Sequence, residues 1–206
     1  IGALVVPEAF DYSRKQIDEL NDYVRKLGGA GVAHFKKQND LLEGGISKFL
    51  GEPEINMLVK RWESVPQAII FLVADKNPEK AQTYLGYLRQ KLAMNLNLID
   101  RARHEISWTV NFPLFEYDEE EQRYVARHHP FTSPKPEDLR LLENQPEKVH
   151  ALAYDLIWNG HEIAGGSIRI HQREVQEKMF SALGISKQSA QEKFGFLLDA
   201  LEYGTP

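Results

Sequence analysis

The sequence predicts an α+β protein, with a small α/β unit followed by an antiparallel sheet flanked by helices. Three observations predict it. Short apolar runs alternate with helix-period segments up to about residue 100. Beyond that point the chain turns aromatic and β-rich. Asn159-Gly160 then joins two strand-like runs, the strongest short-range hairpin signal.

The elements follow in order. Ala3 to Val6 reads as a strand. Ser13 is placed to cap a helix, with Gln16 at capping-box spacing. Ile17, Leu20, Val24 and Leu27 give that helix one apolar face, and Gly28-Gly29 stops it. Gly31 to Lys36 is a second strand, and Pro53 to Trp62 is helical. Ala68 to Ala74 is short and continuously apolar, the mark of a buried strand. Asn77-Pro78 opens another helix, Asn as cap and Pro in the first turn, with Ala81, Leu85, Leu88 and Leu92 inward. Residues 1–102 thus form one domain, of α+β or α/β type.

Residues 103–206 form the second domain. Glu105 to Tyr117 reads as one long β-rich segment. Asp118 to Glu121 turn the chain and Arg123 to Arg127 return it. Thr132 to Asn144 is a loop with a short helix. Ala151 to Trp158 and His161 to Ile170 are the hairpin arms. Two helices follow, lined by Val175, Met179 and Leu183, then by Ala190, Phe194, Leu197 and Leu201.

Composition narrows the function. The 206 residues are 42% hydrophobic and 27% charged, which argues against disorder. No cysteine is present, excluding disulfides, thiolate catalysis and Cys-based metal centres and suiting a reducing cytoplasm. No apolar run approaches the roughly 20 residues of a membrane span, so no membrane partner is expected. The start has neither a basic leader nor Met, so an upstream piece is expected. The net charge of −5 makes RNA contact depend on local basic patches or on other parts of the protein. Lys36-Lys37 and Arg101-Ala102-Arg103 read as solvated surface. Gly28-Gly29 and Gly44-Gly45 match neither phosphate-loop pattern and read as turns.

The chemistry concentrates in residues 151–171. A two-residue hairpin turn sets Ile157 opposite Glu162 and Asp155 opposite Ala164. Asp155 and Glu162 then lie diagonally on one face, Cβ atoms roughly 7–8 Å apart. That spacing suits two carboxylates sharing Mg²⁺. A solvated sheet face with two acids is the plainer alternative. Glu162 and Arg169 are seven apart, so a regular strand sends them to opposite faces. A bulge at Gly165-Gly166 would bring Arg169 onto the acids' face, ready for a carboxylate or phosphate. Otherwise Arg169 pairs with an acid on the other side. His128 and His129 are adjacent on an extended segment, a poor chelating pair. They read either as structural or as part of a polar recognition loop between Pro130 and Pro134.

Three stretches also resemble a known family. FPLFEY…HHPFTSP (112–134), AYDLIWNGHEIAGGSIRIH (153–171) and EKFGFLLDALEYGTP (192–206) resemble bacterial-type aspartyl-tRNA synthetase, a class II enzyme. Residues 1–102 resemble its GAD insertion domain, through LVVPEAFDYSRKQID and GGISKFLGE. Residues 103–206 then correspond to the central part of the catalytic domain. The resemblance implies ATP-dependent activation of L-aspartate and transfer to tRNA, in a homodimeric parent protein. It implies that Glu162 and Asp155 bind ATP through Mg²⁺, and that Gly165, Gly166 and Ser167 line the adenylate pocket. Arg169 would clamp the aspartate side chain, with His128 and its neighbour His129 nearby. Motifs 1, 2 and 3 of the family are not in this stretch, so it is not expected to aminoacylate alone. Two other readings stand beside this one. One is a noncatalytic RNA- or partner-binding module. The other is a metal-dependent hydrolase using Asp155, Glu162 and the histidines.

Overall fold

The computed structural model describes residues 1–201 and 203. The chain divides into two compact units, Ile1–Arg101 and Ala102–Pro206.

The first unit contains β1 (Gly2–Val6), α1 (Arg14–Lys26), β2 (Ala33–Gln38), β3 (Leu41–Glu43), α2 (Glu52–Arg61), β4 (Gln67–Val73) and α3 (Pro78–Asn95). Its sheet runs β1-β4-β2-β3 with every pairing antiparallel, so of the two types left open it is α+β. The apolar run of β4 is explained by place: paired on both edges, Ala68 to Phe71 have no exposure at all. Val24, Leu88 and Leu92 of α1 and α3 pack on Ile69 and Phe71. The Ser13–Gln16 capping box is present in both directions. The short β3 carried no sequence signal and is held by its pairing with β2.

Lys37 corrects the reading of Lys36-Lys37 as solvated surface. It is 1% exposed, and its Nζ donates to the carbonyls of Asn39 and Val65, at 2.7 and 2.8 Å. The alternation of β2 forces the inward side chain, and the two carbonyls satisfy its ammonium. Lys37→Ala should destabilise this unit by about 2–4 kcal/mol, because two acceptors lose their donor and a cavity opens. Urea unfolding measures this, and a loss under about 0.5 kcal/mol would contradict it.

The second unit contains β5 (Ile106–Val110), β6 (Phe115–Asp118), β7 (Arg123–Ala126), β8 (Ala153–Trp158), β9 (His161–Ser167), α4 (Arg173–Ala182) and α5 (Lys187–Leu201). One antiparallel sheet runs β5-β8-β9, and β6 pairs β7 separately. The long segment Glu105–Tyr117 is therefore two strands. Asn111 takes a left-handed φ of 62° and Pro113 lacks an N–H, so the ladder breaks between them. At the hairpin turn Asn159 and Gly160 both have positive φ, 49° and 84°, as a type I′ turn demands. Leu114, Leu142, Val149, Ile170 and Met179 form this unit's core. Glu202 and residues 204–206, within the last resembling stretch, lie outside the described residues. Among the described residues no helix is long and apolar enough to cross a membrane.

A surface tie in this unit is pH-sensitive. Asp138 accepts from the backbone N–H and from Nδ1 of His150, both at 2.9 Å. Those hydrogen bonds hold its carboxyl below the ordinary 3.8. The folded state thus binds this proton less tightly than the unfolded chain. The tie stabilises above pH 3.8 and is lost as pH falls through the lowered folded value. Asp138→Asn should flatten the acid limb of the stability–pH curve, read by urea unfolding between about pH 6 and 2. An unchanged limb would contradict the assignment.

Candidate functional site

The site grows from the register of β8 and β9. Ile157 lies opposite Glu162, as the two-residue turn dictates, but Asp155 lies opposite Gly165 rather than Ala164. The ladder slips between Leu156 and Ile157, leaving Ile163 of β9 without a partner. The bulge therefore sits at Ile163 and not at Gly165-Gly166. Its effect on parity is the one needed. Asp155, Gly165 and Ser167 share a face, and the extended chain carries Arg169 onto it.

The two glycines mark close approach instead. A Cβ on Gly165 would stand 2.6 Å from Asp155 Oδ1 and 3.0 Å from Glu162 Oε1. Both carboxylates thus converge over the bare backbone of Gly165. Gly166 serves the opposite face, where a Cβ would lie 2.8–3.0 Å from the Tyr154 phenol, so, contrary to expectation, it does not share the acids' face with Gly165 and Ser167. Two carboxylate oxygens meeting near one point can share a small divalent cation. Among the described residues no group of three or more His, Asp or Glu could hold a metal. A cation here would take two protein ligands and fill its shell from water and a bound substrate, as Mg²⁺ does with phosphates. The three-ligand site of the hydrolase reading is not formed by the described residues.

Arg169 is exposed, and among the described residues no carboxylate lies within ion-pair distance of it. The alternative of an acid on the far face is thereby set aside. Its Nη1 donates to Ser167 Oγ and lies 3.4 Å from His129 Nδ1. The backbone brings these groups together: Thr132 bridges Arg169, Ser133 N–H donates to Ile168 O at 2.8 Å, and Ile170 N–H donates to Phe131 O at 2.9 Å. The histidine segment is thus stitched beside the end of β9.

The two histidines meet different partners. The ring of His128 lies edge-on to Phe112, with centroids 4.9 Å apart. His129 Nδ1 accepts from Phe131 N–H at 3.1 Å, which leaves the ring proton on Nε2. Burial, then the charges of Arg169 and His128, push its pKa below the ordinary 6.5. A neutral His129 leaves Arg169 as the cation at this end of the face. Buried Thr132 adds an Oγ1 at 3.5 Å from the His129 ring; its only sequence signal was its place in the proline-framed loop.

A cavity of about 340 Å³ lies between α4 and α5, lined by Gln176, Phe180 and Lys187 among others. Asp155, Glu162 and Arg169 do not line it. The site is an open shelf on the sheet, not that cavity.

Fold and site define an α+β protein with two acids at one end of an open sheet face and an unneutralised arginine at the other. The chain belongs to the class II tRNA synthetases (D, K and N), whose family model matches residues 15–206. It is 50% identical over 198 residues to the "Aspartate--tRNA(Asp/Asn) ligase" of Bacillus cereus (strain ATCC 10987 / NRS 248). The protein of the same name from Bacillus thuringiensis (strain Al Hakam) is equally similar. Each match covers 96% of this chain and 33% of the relative, so the chain spans about a third of these relatives' length.

Proposed function

We propose that this chain forms the aspartate- and ATP-holding part of an aspartate–tRNA ligase. The observation that carries the reading is Arg169: a guanidinium without a carboxylate partner among the described residues, on the face where Asp155 and Glu162 converge. A guanidinium so held offers a bidentate mate to the side-chain carboxylate of L-aspartate. Asparagine would leave its charged donors poorly matched, which gives selectivity. Asp155 and Glu162 would hold Mg²⁺ against the phosphates of ATP, and the cation would neutralise charge as pyrophosphate leaves. Gly165 and Ser167 line the shelf between the two ends. With the substrates placed, the α-carboxylate of aspartate attacks the α-phosphorus of ATP, forming aspartyl-adenylate. Protein catalysis here is positioning and charge neutralisation rather than covalent help.

His128 would have to turn from the Phe112 ring to reach bound aspartate, whereas neutral His129 already lies beside Arg169 and steadies it. Residues 1–102 are read as a GAD-type insertion domain, tRNA as the acceptor, and a homodimer as the working form in the cytoplasm.

The test is aspartate-dependent pyrophosphate exchange in a protein of the relatives' full length carrying this chain. Exchange with L-aspartate and ATP, and none with L-asparagine, is expected. Exchange that needs no Mg²⁺, or that prefers asparagine, would contradict the reading.

A further inference from the structure

Gln176 is the one buried polar residue on the inner face of α4, beside Met179 and Phe180. It is 4% exposed. A polar group there needs a reason, since an apolar side chain of similar size would pack without a desolvation cost. Its Nε2 donates to the carbonyl of Pro130 at 2.8 Å, across 46 residues of sequence. Its Oε1 has no partner among the described residues. The position therefore serves the donor end of the amide.

Pro130 is the middle of the turn that aims the histidine. On one side His129 Nδ1 accepts from Phe131 N–H and faces Arg169. On the other, the Phe131 ring stands edge-on between Phe180 of α4 and Phe194 of α5, centroids 5.9 and 5.2 Å away. The aromatic contacts fix where Phe131 sits. They leave the plane of the Pro130 peptide to polar contacts at its two ends: the Phe131 N–H donates to His129 Nδ1, and the Pro130 carbonyl accepts from the Gln176 amide, the one side-chain donor on it among the described residues.

We propose that Gln176 is a positioning residue of the aspartate subsite, which holds the Pro130 carbonyl so that His129 is directed at Arg169 and the guanidinium is set for a carboxylate. This rests on the reading of Arg169 as the aspartate clamp. Gln176 touches no substrate; it acts through the turn. A Met at this position keeps the shape and removes the donor. A Glu keeps the shape and turns a carboxylate oxygen on the carbonyl.

The experiment has two arms. In the full-length protein, Q176M and Q176E should raise the aspartate Kd by about tenfold or more, as expected when a preorganised site loosens. The ATP Kd should stay within about twofold, because Asp155 and Glu162 do not depend on the turn. The thermal midpoint of Q176M should fall by no more than about 4 °C, since one neutral hydrogen bond is lost and one unpaired acceptor is removed; Q176E, which buries a carboxyl against a carbonyl, should fall further. In this chain labelled with ¹⁵N, the ring-nitrogen shifts of His129 should move in Q176M, reporting loss of the single Nε2–H tautomer. An unchanged aspartate Kd in both variants, or equal losses for aspartate and ATP, would overturn the proposal. If wild type binds no aspartate, the clamp reading fails, and the His129 signal decides whether Gln176 positions it: a shift supports the role, and none refutes it.

Discussion

Arg169→Leu should lower kcat/KM for aspartate in pyrophosphate exchange by about three orders of magnitude, in the full-length protein. The size follows from removing one member of a charge-assisted pair whose other member, the substrate carboxylate, must still be desolvated. Stability should change by less than about 0.5 kcal/mol, because Arg169 is exposed and among the described residues no carboxylate pairs with it. Its only described side-chain partners are Ser167 and His129, both able to stay where the backbone holds them. Arg169→Lys should recover little, since an ammonium cannot reproduce the planar fork. The comparison of aspartate with asparagine sharpens the test. Wild type should strongly prefer aspartate, and Arg169→Leu should lose that preference along with its rate. Exchange near the wild-type rate would remove Arg169 from the site.

Gly165→Ala should strike the other end of the shelf. The new Cβ would stand 2.6 Å from Asp155 Oδ1 and 3.0 Å from Glu162 Oε1, with the β8–β9 ladder on either side. Backbone φ is no obstacle at this residue, so the substitution acts through space alone. Asp155 Oδ1 must shift and Glu162 Oε1 must give by a few tenths of an ångström, which moves the two acids off the geometry that shares a cation. Misplacement of a reacting group by about 1 Å can cost about 10²-fold, and a loss of that order in kcat/KM for ATP is expected. Aspartate binding should suffer less, because Arg169 stands at the far end of the face. The measurement is exchange as a function of Mg²⁺ concentration. A rightward shift of the Mg²⁺ dependence supports the shared-cation reading. Wild-type behaviour in Gly165→Ala would show that the acids do not converge in the working protein.

The sequence made the hairpin legible because its signals are local. Asn159-Gly160 names its own turn type, and alternation then assigns Asp155 and Glu162 to one face. Capping at Ser13 and Asn77 was legible for the same reason. The position of the bulge was not. Two adjacent glycines are a reasonable mark of a bulge, yet here each makes room for side chains on one face. The slip falls at Ile163, which nothing in its residue type distinguishes. Arg169 therefore reached the expected face by a different kink. Lys37 was misread because burial of a lysine depends on two carbonyls, one of them 28 residues away. Gln176 was not singled out in the sequence, where the face of this helix read as Val175, Met179 and Leu183, and its partner at Pro130 needed the fold.

One structure tests the central claim most directly: the full-length protein crystallised with Mg²⁺ and a non-hydrolysable aspartyl-adenylate analogue. The account predicts the analogue's side-chain carboxylate on the Arg169 guanidinium and its phosphate-side cation between Asp155 and Glu162, all on one face of β8 and β9. A carboxylate bound away from Arg169, or a cation held without either acid, would contradict it.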